Sequence, residues 1–403
     1  MQKGLPQLAG AAHRPGRRQA SRLPEFNLLL VSRSARWSRA VHAATRVLGG
    51  GDVLTCDARD ALARLAGTAS HYTHILVDRD DAEGLLDELA DLTVEVIAPD
   101  TDILMLGSAA TGRPGIRVVA TATSRSVAQA LMAPSPLRDG SMMNLAELTA
   151  ALKGAMIETR YQPIIRLADR RPVGLEALAR LNHPERGTLA PDRFVPQIED
   201  AGLAAELTGL VSGRAFSDLA GPFLTERGLW MSVNFPLDVL LQPAALDRLE
   251  EQRIAAGLAA AQLTIELTES RPVDDVGMLR RSLERLRGLG YGAAIDDVGP
   301  AVPKLAPLLD LPFTRLKLDK ELVRQVIESA EICTFLAITI ARGKAHGMTV
   351  VAEGVETDAI WNRMQDLGVD EIQGFRAARP LPVAAVPVWW DAWMGQAAPP
   401  PQA

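Results

Sequence analysis

The chain has 403 residues, a formal net charge of -6 and 47% hydrophobic residues, values typical of a globular protein of two or three domains. The acidic balance argues against a nucleic-acid polymer as partner, because such binders are usually basic. Two cysteines far apart in sequence exclude a disulfide framework. No apolar run reaches the length of a membrane span, so we expect a cytoplasmic protein with no membrane partner.

Composition divides the chain into five predicted segments. Residues 1–24 contain five basic residues and no acid, and are predicted to be a disordered tail. A domain over 25–133 is followed by a linker over 134–143, which contains two prolines and a glycine. A second domain is predicted over 144–395, and the proline-rich end, 396–403, is predicted to be a disordered tail.

The first domain alternates short apolar runs with helical patterns. Helices are predicted after Ser34, over 58–65 and near 127–132. Strands are predicted over 26–31, 53–55, 75–77, 103–106 and 116–120. Strand–helix alternation of this kind predicts an open parallel sheet in an α/β fold.

The pattern of this domain resembles a response-regulator receiver domain. Asp78 follows the third strand, where a receiver has its phosphoacceptor. The acidic pair that holds magnesium in a receiver is replaced by Ser32 and Arg33, and the lysine expected after the fifth strand is missing from residues 120–125. Without a magnesium site nothing neutralises a phosphoryl charge. We therefore predict a degenerate receiver-like module that binds a protein partner rather than accepting phosphate.

The second domain repeats strand and helix over about 250 residues, which predicts a closed TIM-type (β/α)8 barrel. In such barrels the catalytic groups lie at the carboxyl ends of the strands. Strands are predicted over 161–165, 229–233, 263–267, 293–295, 316–318, 349–352 and 371–374.

Polar side chains adjoin these apolar runs at or near their ends. Six carboxylates, three amides and a lysine at one barrel mouth would repel unless cations lay among them, and hard oxygen ligands suit Mg²⁺ or Mn²⁺. The adjacent Asp296 and Asp297 can let one carboxylate bridge two ions. The residues are Gln162, Glu176, Asn234, Glu266, Glu269, Asp296, Asp297, Lys317, Glu353 and Gln373.

At these residues the domain resembles the EAL domain, the cyclic di-GMP phosphodiesterase family, and the tripeptide Glu176-Ala177-Leu178 is that family's signature. Nine ordered motifs over about 230 residues make chance similarity negligible. The others are Tyr161-Gln-Pro-Ile164, Asn182-His-Pro-Glu-Arg-Gly187, Glu266-Leu-Thr-Glu269, Asp296-Asp297, Lys317-Leu-Asp319, Ala352-Glu-Gly-Val-Glu356, Gln373-Gly374 and Arg379-Pro-Leu-Pro382.

The resemblance implies hydrolysis of cyclic di-GMP to linear pGpG with two divalent ions per barrel, and a homodimer through the barrel. It implies that Lys317 orients the attacking water, with Glu353 and Glu176 as further catalytic residues. A first metal ion would be held by Glu176, Asn234, Glu266 and Asp296, and a second by Asp296 and Asp297 with support from Glu353. Substrate would be bound by Gln162, Leu178, Arg180 and Gln373, and Glu269 would anchor the loop after Asp297.

That loop departs from the family pattern. After the paired aspartates the family usually reads D-F-G-T-G-Y-S-S-L, whereas residues 297–305 here read D-V-G-P-A-V-P-K-L. Two prolines stiffen the loop and remove backbone donors. Two hypotheses therefore stay open: a working phosphodiesterase of low activity, or a catalytically weak or inactive receptor that binds cyclic di-GMP or a protein partner on the same barrel.

Overall fold

The computed structural model describes most of the chain between residues 26 and 397. The predicted N-terminal tail, most of the predicted linker, Glu269, residues 300–304 and residues 398–403 lie outside the described residues, whereas residues 396 and 397 of the predicted C-terminal tail end the last helix. So does much of the helix predicted over 58–65. The described ranges are 26–58, 60–61, 64, 72–81, 101–107, 116–133, 142–268, 276–299 and 305–397.

The N-terminal domain contains a five-stranded, wholly parallel sheet, as predicted. The strand order is β2-β1-β3-β4-β5, the order of flavodoxin-like doubly wound folds. The strands are β1 (Phe26–Val31), β2 (Gly51–Cys56), β3 (His74–Asp78), β4 (Asp102–Leu106) and β5 (Arg117–Val119).

Two helices pack together in this domain, α1 (Ala35–Val47) and α2 (Ser124–Met132). Helix α1 buries Trp37, Val41 and Ala44, which recur at helical spacing and form one face. They pack in one core with residues of β1, β3, β4 and α2, so periodicity in the sequence was sufficient to place this helix on the sheet.

Nine strands form the second sheet, in the order β6-β14-β13-β12-β11-β10-β9-β7-β8. Because β6 also pairs with β7, eight strands close into a barrel and β8 extends β7 outside the ring. The strands are β6 (Ile157–Arg166), β7 (Pro172–His183), β8 (Gly187–Leu189), β9 (Trp230–Pro236), β10 (Leu263–Thr268), β11 (Gly292–Val298), β12 (Arg315–Leu318), β13 (Thr349–Ala352) and β14 (Glu371–Gln373).

Helices alternate with most of these strands, and one large hydrophobic core extends through the barrel. The helices are α3 (Leu145–Lys153), α4 (Pro191–Asp200), α5 (Ala204–Leu219), α6 (Pro222–Glu226), α7 (Leu237–Leu240), α8 (Pro243–Ala255), α9 (Val276–Gly288), α10 (Leu305–Leu309), α11 (Lys320–Gln325), α12 (Ala330–Ala345), α13 (Asp358–Asp366) and α14 (Val386–Ala397).

The barrel differs from a regular (β/α)8 barrel in the direction of its first strand. Strand β6 pairs antiparallel with both β7 and β14, while the other ring pairings are parallel. The seven predicted strands also omit β7. Its run over 172–183 mixes glycine and charged residues with apolar ones, because several of its side chains belong to the site described below.

None of the helices within the described ranges combines the length and apolar composition that crossing a membrane requires. The parallel strands β9 to β14 all end at one rim of the barrel. In register, Asn234 of β9 pairs with Glu266 of β10. Strand pairing therefore brings the carboxyl ends of these strands together, and the polar residues there can meet.

Candidate active site

A buried lysine lies at the centre of the barrel mouth. Lys317 Nζ is 2.5 Å from Glu353 Oε1, 2.6 Å from Glu266 Oε2, 3.1 Å from Asp296 Oδ1 and 3.6 Å from Glu176 Oε2. Its side chain is only 2% exposed. Each of these four carboxylates comes from a different strand or strand end, so one ammonium group links four points of the barrel wall.

The charges of this cluster are coupled. Burial alone would lower the pKa of Lys317, but the surrounding carboxylates outweigh it and hold that pKa well above its usual value. Burial raises the pKa of Glu266 well above its usual value and that of Glu353 to about 8, against the opposing effect of Lys317. One ammonium therefore leaves the surrounding carboxyl groups short of positive charge.

Glu176 is held by two amides. Its Oε1 accepts a hydrogen bond from Asn234 Nδ2 at 2.8 Å, and its Oε2 accepts one from Gln373 Nε2 at 2.5 Å. Burial would raise the pKa of Glu176, but Lys317 and these donors outweigh it and lower that pKa. Gln373 Nε2 also donates a hydrogen bond to Gln162 Oε1, which fixes the orientation of the Gln373 amide. The network keeps Glu176 ionised and its carboxylate oriented.

A close backbone approach allows Gln373 to reach this network. The next residue, Gly374, has a φ of +157°, and a Cβ there would lie 2.3 Å from backbone atoms of Val355. No side chain fits in that space, so glycine is required immediately after Gln373. The sequence motif Gln373-Gly374 thus has a direct steric reason.

A strand irregularity brings three carboxylates together at the rim. Asp296, Asp297 and Glu353 offer oxygens that all lie within 4.8 Å of one another. Consecutive residues of a regular strand point to opposite faces. The register of β11 against β12 shifts between Ile295 and Val298, and Asp297 has a φ of +50°. This left-handed turn breaks the alternation, so both aspartates serve the same rim.

A cleft of about 650 Å³ opens over this cluster. The buried Arg180 and the half-buried Leu178 line it from β7. Sequence reasoning missed three other cations in the lining: Arg193, Lys320 and Arg324. Each lies in a helix that starts just beyond a strand, α4 or α11, and that position at the rim is the signal that identifies them.

Nearly all of the predicted site residues meet in this region. The residues that line the cleft are Gln162, Glu176, Leu178, Arg180, Asn234, Asp296, Asp297, Glu353 and Gln373. Glu266 and Lys317 are buried and touch this group through the ion pairs described above. The four residues predicted for the first metal ion are joined through Lys317 and Asn234, whereas the compact three-acid cluster matches the set predicted for the second. Glu269 cannot be compared, because it lies outside the described residues.

Curated relatives share the barrel region. The chain is 36% identical over 255 residues to the cyclic di-GMP phosphodiesterase NbdA of Pseudomonas aeruginosa, covering 63% of this chain and 33% of that protein. It is 28% identical over 255 residues to the cyclic di-GMP phosphodiesterase RocR of the same organism, covering 62% of this chain and 64% of that protein. The chain thus spans between a third and two thirds of the length of these relatives.

Solved structures agree. The phosphodiesterase PaMucR, solved in complex with c-di-GMP, matches with a TM-score of 0.57 and 28% identity over 60% of this chain and 98% of that one. The EAL enzyme Bd1971, solved with cAMP and cyclic di-GMP bound, matches with a TM-score of 0.58 and 25% identity, covering 61% of this chain and 67% of that one. The sequence profile of the EAL domain matches residues 145–380, more than half of the chain. The chain therefore belongs to the EAL domain family.

Proposed function

We propose that this protein is a metal-dependent phosphodiesterase that hydrolyses cyclic di-GMP to linear pGpG. The observation that carries the proposal is the convergence of four carboxylates on the buried ammonium of Lys317, next to the rim cluster of Asp296, Asp297 and Glu353. Relatives and neighbours with the same barrel are named for this activity or were solved with this ligand.

The donor set fits divalent cations. Asp296, Asp297 and Glu353 offer oxygens within 4.8 Å of one another, and the single ammonium of Lys317 beside Asp296 and Glu353 does not neutralise all three charges. Carboxylate and amide oxygens suit Mg²⁺ or Mn²⁺. Asn234 donates its NH₂ group to Glu176, which leaves its carbonyl oxygen for a cation. We assign one ion to Glu176, Asn234, Glu266 and Asp296, and another to Asp296 and Asp297 with Glu353.

The cleft suits a dianionic dinucleotide. Its volume of about 650 Å³ lies within the usual range for small-molecule sites. Arg180 Nη1 donates a hydrogen bond to the backbone oxygen of Ala179 at 2.8 Å. This bond orients a guanidinium group that can clamp a phosphate. Arg193 and Lys320 also line the cleft and add positive charge that favours an anionic substrate, whereas Arg324 is paired with Glu356 and Glu321.

Hydrolysis needs a water aligned with the scissile phosphorus and the leaving O3′ oxygen. Bound divalent ions supply Lewis-acid stabilisation of the phosphoryl charge and lower the pKa of water. In our assignment the ammonium of Lys317, fixed between Glu353 and Glu266, orients the attacking water. Gln373 donates to Glu176 and to Gln162, and so orients the Glu176 carboxylate. The water oxygen bonds to phosphorus, the bond between phosphorus and O3′ breaks, and O3′ takes one proton of the water.

The direct test is incubation of the purified 403-residue chain with cyclic di-GMP and Mg²⁺ or Mn²⁺, followed by chromatography of the products. We expect pGpG to accumulate and EDTA to stop its formation. Binding of cyclic di-GMP without product under either metal would replace this proposal with the receptor alternative.

Two assembly properties belong to the same proposal. We expect a homodimer through the barrel, as the family resemblance implies, and a protein partner for the N-terminal parallel sheet. Light scattering on the full chain, repeated with cyclic di-GMP and Mg²⁺, measures the first. A monomer under both conditions would refute it.

A further inference from the structure

Arg315 contacts two other side chains inside the barrel below the Lys317 cluster, those of Trp230 and Glu371. The guanidinium of Arg315 lies 4.0 Å from the centroid of the Trp230 ring, within cation–π range. Its Nη2 is 3.8 Å from Glu371 Oε1, and both side chains are largely buried, at 18% and 9% exposed. We call this group of Arg315, Trp230 and Glu371 the Arg315 brace.

The brace joins strands that are not neighbours. Strands β9 and β12 are separated in the sheet by β10 and β11, and β12 and β14 are separated by β13. Ladder hydrogen bonds cannot fix distances across the interior, whereas side chains that meet there can. The Arg315 brace is therefore a cross-link between three walls of the barrel.

Each strand of the brace carries a site residue on the same face further along. Side chains two residues apart on a strand share a face and lie roughly 7 Å apart. Arg315 precedes Lys317 by two residues, Glu371 precedes Gln373 by two, and Trp230 precedes Asn234 by four. Because all three strands run in parallel, the brace lies directly beneath the site.

A glycine makes room for the brace on a fourth strand. A Cβ at Gly174 would lie 2.4 Å from the ring of Trp230, so any side chain there would displace the indole. Gly174 precedes Glu176 on β7 by two residues. The Trp230 ring thus packs against the strand that supplies Glu176, and the brace touches the walls that carry four site residues.

The Arg315–Glu371 pair is poorly arranged for stability alone. Within the described part of the chain, Arg315 Nε and Glu371 Oε2 are buried and make no hydrogen bond. Burial outweighs Glu371 and lowers the pKa of Arg315, and Glu266 is the other carboxylate that acts on it. Buried pairs of this quality can be replaced by apolar side chains without loss of stability. The role that remains for the pair is to position the site residues further along the same strands.

We propose that Arg315, with Trp230 and Glu371, is a positioning residue that fixes Lys317, Gln373 and Asn234 for catalysis. The inference rests on the proposed phosphodiesterase function for its kinetic part. Its metal-binding part does not, because Mn²⁺ binding is measured without turnover.

The experiment compares Arg315→Met with Arg315→Met/Glu371→Met in the full chain. The single variant leaves Glu371 buried without its partner, so its Tm falls, and the double variant regains Tm. Despite that recovery, we expect kcat of the double variant to stay roughly tenfold low with KM little changed. Mn²⁺ affinity, measured by EPR titration, should also be roughly tenfold weaker. Arg253→Met, which breaks an ion pair with Glu250 on outer helix α8, is the matched control.

The outcomes separate the two proposals. Wild-type kcat and Mn²⁺ affinity in the double variant would overturn the brace, whatever the wild type does to cyclic di-GMP. A wild type without turnover, whose Mn²⁺ affinity still weakens in the double variant, would sink the phosphodiesterase and keep the brace. Arg315→Lys retains the cation and covers the case in which the double variant does not fold. It should recover most of the lost rate and Mn²⁺ affinity, and failure to recover either while folded would count against the brace.

Discussion

Both domains place acids at the ends of parallel strands, yet the two sites are built differently. In the N-terminal sheet Asp78 ends β3, and its Oδ2 accepts a hydrogen bond from Ser32 Oγ at 2.7 Å. Nearby, Asp81 accepts a bond from the backbone of Arg33 at 2.6 Å. In the barrel the equivalent positions hold four carboxylates around Lys317.

The two groups of acids differ in whether nearby hydrogen-bond donors satisfy their carboxylate oxygens. Ser32 and Arg33, which follow the neighbouring strand β1, donate hydrogen bonds to Asp78 and Asp81, and the Arg33 guanidinium lies 4.0 Å from Asp81, so those acids close a structural network. The barrel acids compete for one ammonium, and the three-acid cluster found among the described residues lies there, at Asp296, Asp297 and Glu353. Acids that local donors do not satisfy attract cations, and a strand-end position by itself does not indicate a site.

The largest expected effect is at Glu176. Glu176→Ala removes the carboxylate that Asn234 and Gln373 hold, so we expect turnover to fall about a thousandfold or more and Mn²⁺ affinity to fall about tenfold. Product chromatography and EPR titration measure the two effects. Glu284→Ala, at an exposed acid of helix α9, serves as the control and should leave both unchanged. Retention of turnover in Glu176→Ala would place the site elsewhere.

Lys317 should separate rate from binding. Lys317→Ala removes the group assigned to the water, so we expect kcat to fall about a hundredfold while the Kd for cyclic di-GMP changes about threefold or less. Steady-state kinetics and calorimetry give the two numbers. If Lys317→Ala and Glu176→Ala each lost rate and binding in equal proportion, Lys317 would not have the separate role in catalysis that we assign to it. The barrel acids and Lys317 would then form a structural network, as Asp78 and Ser32 do.

Sequence patterns predicted much of this arrangement because barrel closure does the geometric work. Once strands end at one rim, acids at strand ends must converge, so Glu266, Asp296 and Glu353 could be identified without coordinates. Strand direction is set by pairing partners that are distant in sequence, and the antiparallel β6 was therefore not predicted.

Other features depend on side-chain reach or on backbone conformation. No pattern predicts that Lys317 reaches four carboxylates, or that Asp297 adopts a φ of +50°. The sequence did not predict the Arg315 brace for a similar reason, because Trp230 and Arg315 lie far apart in sequence and meet only across the closed barrel. Contacts across the interior follow from closure and shape, which a one-dimensional pattern does not contain.

The loop after Asp297 should affect the choice of metal ion. Asp297 is exposed and held in a left-handed conformation, and six of the seven residues 298–304 differ from the family sequence. Mg²⁺ demands near-ideal octahedral geometry, whereas Mn²⁺ binds such sites more tightly, so we expect turnover several-fold higher with Mn²⁺. Replacing residues 298–304 by Phe-Gly-Thr-Gly-Tyr-Ser-Ser should raise the Mg²⁺ rate more than the Mn²⁺ rate. Brisk wild-type turnover with Mg²⁺ would show that the native loop already orients Asp297.

The smallest expected effect on chemistry is at Asp78. Acetyl phosphate should not label the chain, because Ser32 and Arg33 stand where a receiver needs acids to hold magnesium, and the Ser32 hydroxyl already occupies Asp78 Oδ2. Asp78→Ala should instead cost stability of about 1 to 3 kcal/mol, because it leaves the buried Ser32 hydroxyl without its acceptor. Intact-mass spectrometry and thermal unfolding measure the two. Stable labelling that disappears in Asp78→Ala would make the N-terminal sheet a working phosphoacceptor. The contrast between satisfied and unsatisfied acids would then not explain where this protein does its chemistry.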